Sequence, residues 1–316
     1  MGNPVDSRSG AGRSGGGADD VVCRRCGEER PLSAFRGERR VCRKCEAEGS
    51  AARRAKVAKP PLDTAPLARF EEPLEPVLLI PDCHIPNHDE RAWGLMLRVA
   101  MALKPRHIVI LGDFADGETL SAHPATKPGE LSFEQEVLGV RKCLDQLDAL
   151  GASSKTYIEG NHEFRLDRYL MERAPAMFYA IKWPQILDLH QRGWQWVPYR
   201  KSAKLGKLHL THDTGTAGMN AHRQAAQAFG GSVAIGHTHR MSLEIRGRFD
   251  GTPYVAAMFG WLGDVEKAAA YMHEAKASDW VQGFGVGFLE PSSGIVHLQA
   301  VPIVHGKCVV NGRLFT

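Results

Sequence analysis

The chain lacks several things, and each absence narrows what it can be. No apolar run approaches the roughly 18–20 residues that a membrane-spanning helix needs, so no membrane partner is expected. The first residues have no apolar core of the signal-peptide kind, so the expectation is a cytoplasmic protein. Cysteine is scarce: there are seven in 316 residues, and four of them fall in two C-x2-C pairs. That usage points to metal in a reducing compartment rather than to a disulfide framework. There is no internal repeat, and hydrophobic residues at 43% with charged residues at 24% describe an ordinary globular chain.

Neither sign of charge dominates overall, with 40 Lys+Arg against 36 Asp+Glu, but the distribution is uneven. Residues 1–60 hold 14 basic and 8 acidic side chains, so the excess of +4 comes entirely from this end. A basic end on a near-neutral body suits a tether to a polyanion, while the plain alternative is a solubilising tail. Residues 1–20 are Gly/Ser-rich with almost no large apolar side chain and are expected to be disordered. Residues 21–47 form a compact Cys-bearing unit. Residues 48–76 read as an Ala/Arg stretch, whose first part suits a short helix, followed by a stiff segment with five prolines in its last 17 residues.

From Val77 the texture becomes that of an α/β domain, expected over 77–305 with a C-terminal strand or tail over 306–316. Short strand-like runs, "VLLIPD", "HIVILGD", "TYIEGN", "KLHLTHD" and "VAIGHTH", end in polar residues and mostly alternate with helical patterns. The spacing in residues 90–103 predicts a helix with Trp93, Leu97, Ala100 and Met101 on one face. Ser132 and Gln135 have capping-box spacing ahead of a Val137, Val140, Leu144, Leu147 stripe. The strand-like runs after residue 240 suggest a second sheet packed on the first, with helices outside.

The strand ends carry the chemistry. In order they present Asp82 and His84, Asp113 and Asp116, Asn161 and His162, His212, then His237 and His239. Carboxylate, imidazole and amide oxygen are ligands for Mn²⁺, Fe, Zn²⁺ and Mg²⁺. In open α/β sheets ligands bind beyond the carboxyl ends of strands. Each cluster alone is ordinary; five in succession are not.

The ordered set D-x-H, GD-x-x-D, GNHE, a lone His and GHTH resembles the calcineurin-like metallophosphoesterase family over about residues 77–300. The resemblance implies a β-sandwich of two mixed sheets flanked by helices and a site for two divalent metals, Mn²⁺ foremost. By position, Asp82, His84 and His239 would bind the first metal. Asn161, His212 and His237 would bind the second, and Asp113 would bridge them. A metal-bridging hydroxide would attack phosphorus, His162 would assist the leaving group and Asp116 would orient His162. Glu163 is read as favouring a helix N-terminus. Gly117 stands where many members have a phosphate-contacting Arg, and Asp213 where many have Gly. Arg165 is the candidate to supply the missing charge, with a solvent-facing helix Arg as the other reading. Trp261 and Trp280 are read as core in preference to a substrate groove.

Cys23, Cys26, Cys42 and Cys45 have C-x2-C-x15-C-x2-C spacing, which suits one structural, tetrahedral Zn²⁺. The unit resembles the zinc modules that precede phage endonuclease-VII-type HNH nucleases. The downstream His/Asn residues of those nucleases are missing, so no catalysis is assigned to it. If the protein is phage-encoded, the expected cytoplasm is that of the host. Nucleic acid is the expected partner of the basic module, with protein docking as its rival. The chain is thus expected to hydrolyse phosphodiesters of nucleic acid. The alternatives are a phosphomonoesterase acting on phosphoprotein or nucleotide, and a nucleic-acid-binding protein with a relic hydrolase domain.

Overall fold

The structure, a computed structural model, describes residues 20–57, 73–121, 131–269 and 279–316. The expected disordered tail up to residue 19, the proline-rich part of 48–76, and His123 and His273 lie outside the described residues. The chain divides into two compact units, residues 1–70 and 71–316.

The first unit has strands β1 (Asp20–Val22) and β2 (Glu29–Pro31), paired antiparallel, and helix α1 (Arg43–Val57). Among the described residues its buried side chains are Cys23, Phe35, Cys42 and Cys45, with the partly buried Val21, Ala34 and Val41 packed against them, so Phe35 supplies the one aromatic ring of this small core. Helix α1 begins inside the Cys-bearing segment and runs across position 48, where a linker was expected to start.

The second unit continues with β3 (Glu75–Ile80), α2 (Glu90–Leu103), β4 (His107–Ile110), α3 (Phe133–Asp148), β5 (Ser154–Ile158), α4 (Phe164–Arg173), α5 (Trp183–Ile186) and β6 (Trp194–Val197). Then come β7 (Ala203–Leu205), β8 (Leu208–Thr211), α6 (Ala221–Phe229), β9 (Val233–Ile235), β10 (Met241–Gly247) and β11 (Pro253–Phe259). The chain ends with α7 (Val265–Ala269), β12 (Gly283–Leu289), β13 (Val296–Pro302), β14 (Cys308–Val310) and β15 (Arg313–Phe315).

Two mixed sheets result, in the orders β13-β12-β3-β4-β5-β6 and β10-β11-β9-β8-β7. Strands β3 to β6 run parallel, as do β8, β9 and β11. Alternation along the strands builds two cores. Val77, Leu79, Val109, Leu111 and Ile158 face the second sheet's Leu208, Leu210, Ala234, Ala257 and Phe259. Leu78, Ile80, Ile108, Ile110 and Tyr157 face the opposite way, into a core shared with α2 and α3. Helix α6 covers the outer face of the second sheet. Central strands buried on both faces explain why "VLLI" and "HIVI" read as continuous apolar runs.

Three expectations change. The strands after residue 240 do not form a sheet of their own: β10 and β11 join the second sheet, and β12 and β13 extend the first. The buried face of α2 carries Ala92, Trp93, Leu95, Met96, Val99 and Ala100, while Met101 is exposed. The helix covers the sheet edge on through the Trp93–Met96–Val99 line, so its real stripe is rotated from the expected one. The last residues form the β14–β15 hairpin, which buries Cys308 and Val310 in the main core. The capping box of Ser132 and Gln135 is present.

The rotated stripe is measurable by urea denaturation. Met96→Ala should cost about 2–5 kcal/mol through lost burial and a cavity. Met101→Ala should stay within about 0.5 kcal/mol of the parent. Equal effects would put the stripe back where periodicity alone placed it.

Candidate metal centre

The polar strand ends converge at the carboxyl ends of both sheets' parallel strands. The loops after β3, β4 and β5 bring Asp82 and His84, Asp113 and Asp116, and Asn161 and His162; those after β8 and β9 bring His212, His237 and His239. Three groups of three have their ligand atoms within 4.8 Å of one another: Asp82, His84 and His239; Asp113, His212 and His237; and His84, Asp116 and His162.

In the first group, His239 Nε2 lies 2.9 Å from His84 Nε2 and 3.1 Å from Asp82 Oδ2. His84 Nδ1 faces Asp116 Oδ1 at 3.2 Å, which leaves Nε2 with its lone pair toward His239. Asp82 Oδ1 accepts from the His237 amide at 2.9 Å, while Oδ2 is buried without a hydrogen-bond partner. In the second group, His212 donates Nδ1–H to the Leu111 carbonyl at 2.8 Å, so Nε2 carries the lone pair. That nitrogen faces Asn161 Oδ1 at 3.0 Å and Asp113 Oδ2 at 3.3 Å. His237 Nδ1 is also buried without a partner.

Nitrogen and oxygen acceptors gathered this closely in buried surroundings suit a cation between them. The donor set therefore fits divalent metal at two adjoining positions. Without one, the carboxylates recruit protons instead. Burial opposes a charge on His212, but Asp113 outweighs it and the imidazole is raised to about 10. The backbone is held for this purpose too. His84, Asp113, His237 and His239 all have φ between 48° and 67°, a conformation costing on the order of 1–3 kcal/mol each for non-glycine residues. The flanking glycines leave no spare room. A Cβ on Gly160 would lie 2.1 Å from Asp113 Oδ1, and one on Gly236 would lie 2.6 Å from Asp82 Oδ1.

His162 stands beside these groups. Its Nδ1 is 2.6 Å from Asp116 Oδ1 and 2.9 Å from the Asp116 carbonyl oxygen. Burial raises the Asp116 pKa, but the His162 and His84 rings overcome it and hold the carboxyl well below the usual range. Arg165 is not a solvent-facing helix Arg. It donates to the Asp116 carbonyl at 3.0 Å and to His162 Nε2 at 3.1 Å. Gly117, at φ 63°, lies beside it; a Cβ there would meet the His162 carbonyl oxygen at 2.7 Å.

Sequence reasoning missed several supporting residues. Glu163 does not cap helix α4 with its side chain. It is fully buried and accepts from the amides of Asp113, Phe114, Ala115 and Gly160 at 2.8–3.0 Å and from the Tyr157 hydroxyl at 2.8 Å. Asn87 donates to Asp116 Oδ2 at 2.7 Å, and buried Glu136 accepts from the Gly117 amide. Both residues sit in stretches with no ligand pattern, so no local signal marked them. Trp261 is buried, as expected of core, yet it stacks on His239 with ring centroids 5.0 Å apart and planes at 12°. Trp280 meets the same ring edge-on at 4.2 Å and is only partly buried.

In the first unit, Cys23, Cys26, Cys42 and Cys45 also gather within 4.8 Å. Cys23 Sγ accepts from the amides of Cys42 at 3.3 Å and Arg25 at 3.4 Å. Those donors, Cys42 first, lower the Cys23 thiol to about 6, whereas burial raises Cys45 to about 12. Four adjacent thiolates cannot all ionise without a cation, so the set fits a tetrahedral metal such as Zn²⁺.

No protein-family profile matches the chain. Two curated proteins are similar to it, each called Gene 54 protein. That of Mycobacterium phage D29 is 28% identical over 258 residues, covering 76% of this chain and 98% of that protein. That of Mycobacterium phage L5 is 26% identical over 266 residues, with the same coverage. Among solved structures, Vacuolar Protein Sorting 29 from Cryptosporidium parvum aligns with a TM-score of 0.41 at 15% identity, over 77% of this chain and 95% of that one. TT1561 of Thermus thermophilus aligns with a TM-score of 0.29 at 10% identity, over 72% and 99%. No described helix is long and apolar enough to cross a membrane.

Metal analysis after dialysis separates the roles of these residues. Asp113→Asn should lose divalent metal from the second unit, because a neutral amide cannot balance two cations. His162→Asn should retain the parent's metal content. A missing ion in the His162 variant would make that residue a ligand.

Proposed function

We propose that the chain is a metal-dependent phosphoesterase with a dinuclear centre, acting on phosphodiesters of nucleic acid. The observation that supports it best is the convergence of Asp82, His84, Asp113, Asn161, His212, His237 and His239, with His162 poised beside them on Asp116. Mn²⁺ is the favoured ion, with Fe, Zn²⁺ and Mg²⁺ as alternatives. Asp82, His84 and His239 would hold one ion, Asn161, His212 and His237 the other, and Asp113 both. When bound, the ions supply Lewis acidity and a nucleophile at neutral pH.

The remaining chemistry belongs to side chains. His162 Nδ1–H is fixed on Asp116, so Nε2 is the nitrogen that delivers a proton to the departing oxygen. In the structure that nitrogen accepts from Arg165, which can only donate. A bound phosphoryl oxygen would draw the guanidinium to itself and release Nε2 for protonation. Arg165 is thereby a phosphate-binding residue as well as a brake on His162. Asn87 and Glu136 hold the Asp116–Gly117 turn on which both depend.

The basic first unit supports the choice of nucleic acid. Arg25, Arg36, Arg39 and Arg53 line a concavity of about 770 Å³ beside the Cys cluster. Only Glu46 opposes them there, paired with Arg39 at 3.1 Å. A structural Zn²⁺ would hold this surface in shape, because a core with one aromatic ring is too small to do so.

Hydrolysis of bis-p-nitrophenyl phosphate against p-nitrophenyl phosphate with Mn²⁺ tests the reaction class. The diester should be preferred, and Asp113→Asn should lower turnover at least ~10³-fold with the fold retained. His162→Asn should lose more on esters with poor leaving groups than on p-nitrophenyl esters. Preference for the monoester would favour a phosphatase, and no hydrolysis would sink the enzymatic reading.

Delivery by the first unit is tested separately. Removing residues 1–60 should weaken nucleic-acid binding and flatten its salt dependence by several contacts, at about 0.7–0.9 in slope each. Hydrolysis of the small diester should barely change, and Cys23→Ser with Cys26→Ser should act like the deletion. Unchanged affinity and slope would leave protein docking as the role of this unit.

A further inference from the structure

The hairpin of β10 and β11 carries features that neither the fold nor the metal centre requires. Its turn places Phe249 wholly in solvent, at 110% of reference exposure, next to Arg248. Below the turn lies a groove of about 460 Å³ between the hairpin and the end of α6, lined by Arg223, Gln227, Arg246, Arg248 and Tyr254. Arg248 lies over the Tyr254 ring, 5.2 Å from its centroid.

Charge and shape act together here. Glu244 holds Arg246 at 2.6 Å and Arg223 at 2.5 Å, both through Nε, so the forks of both guanidiniums are fixed in place. Their side chains nevertheless stay 48% and 49% exposed. One carboxylate serves two arginines and Arg248 adds a third, so the groove keeps a net positive charge. Phe249, between Arg248 and Asp250, has no packing role in the fold. A positive groove beside a projecting aromatic ring is an arrangement that tracks a single strand, with phosphates on the arginines and a base stacked on the ring.

The groove is also placed on a line with the chemistry. Strand β10 starts two residues after His239, and α6 starts near Ala217, whose carbonyl accepts from Arg240 at 2.9 Å. Both elements run outward from the metal centre and finish at the groove. Seven residues separate His239 from Arg246, about 23 Å along an extended strand.

We infer that the β10–β11 hairpin is a binding element for single-stranded nucleic acid. Arg223, Arg246 and Arg248 contact the backbone, and Phe249 stacks on a base several nucleotides away from the scissile ester. The inference rests on the proposed nucleic-acid substrate but not on catalysis, because binding can be measured without turnover.

The test uses full-length protein with its metals in place and a fluorescein-labelled 20-nucleotide single strand with phosphorothioate linkages, which resist hydrolysis, followed by anisotropy across a salt series. Phe249→Ala should weaken binding at least about fivefold, the lower end of a lost base stack, with the salt slope unchanged. Arg246→Ala with Arg248→Ala should flatten the slope by about 0.7 per residue. Both variants are surface changes, and circular dichroism with bis-p-nitrophenyl phosphate turnover in Mn²⁺ checks that they are folded. Parent-like affinity and slope in both variants would overturn the inference, as would failure of the parent to bind the strand. Loss of binding in the variants of a parent that hydrolyses no ester would uphold the groove and refute the enzyme.

Discussion

The carboxylate of Glu163 is the contact on which the site depends. It sits fully buried between the strand ends of β4 and β5 and receives four backbone amides and one hydroxyl. Three of these donors meet Oε1 and two meet Oε2, while burial and the nearby Asp113 charge raise the carboxyl above its ordinary range. Three of those amides belong to residues 113–115, the turn that presents Asp113. The fourth belongs to Gly160, ahead of Asn161 and His162. One side chain thus sets the distance between the loops carrying the bridging candidate and the acid candidate. The Trp183 indole anchors the same residue from behind by donating to its carbonyl at 2.7 Å. Loss of this carboxylate would orphan several buried donors at once, each at about 1–3 kcal/mol.

Around that anchor the protein concentrates unfavourable features. Left-handed backbone at His84, Asp113, His237 and His239 is strained, and buried imidazoles and carboxylates crowd within 2.9–3.3 Å of one another. Such a cluster persists only where the surrounding structure over-determines it. Here that surrounding is two fully packed sheets, whose central strands are buried on both faces. Cations would convert the electrostatic part of this cost into binding energy. The Cys cluster of the first unit works by the opposite logic. There the surrounding core is small, with a single aromatic ring, so the ion would hold the fold together instead of being held by it.

Asp116 links the candidate metal centre to the candidate acid. Its Oδ1 serves both His84 and His162, while Oδ2 is held by Asn87. A candidate ligand and the candidate acid therefore share one counter-charge, and their orientations are coupled. Arg165 completes the arrangement from α4, donating to the Asp116 carbonyl and to His162 Nε2.

The sequence by itself determined the element types and the ligand chemistry. Alternating strands and helices, continuous apolar runs in central strands, and polar residues at their ends are local patterns, and each is visible within a few residues. The same is true of the paired C-x2-C knuckles and of the capping box before α3. Tertiary structure decided what depends on distant partners. The strands after residue 240 split between the sheets because β11 and β12 each found a parallel or antiparallel neighbour far away in sequence, β9 and β3. The stripe of α2 rotated because the surface it covers, not its own periodicity, selects which face is buried. Glu163 read as a helix-end charge because its acceptor role exists only once residues 113–115 arrive, about fifty positions away. Asn87, Glu136 and the stacking of Trp261 on His239 were hidden for the same reason. A residue that acts by contacting its own neighbours leaves a pattern in the sequence, whereas one that acts by contacting a remote loop does not.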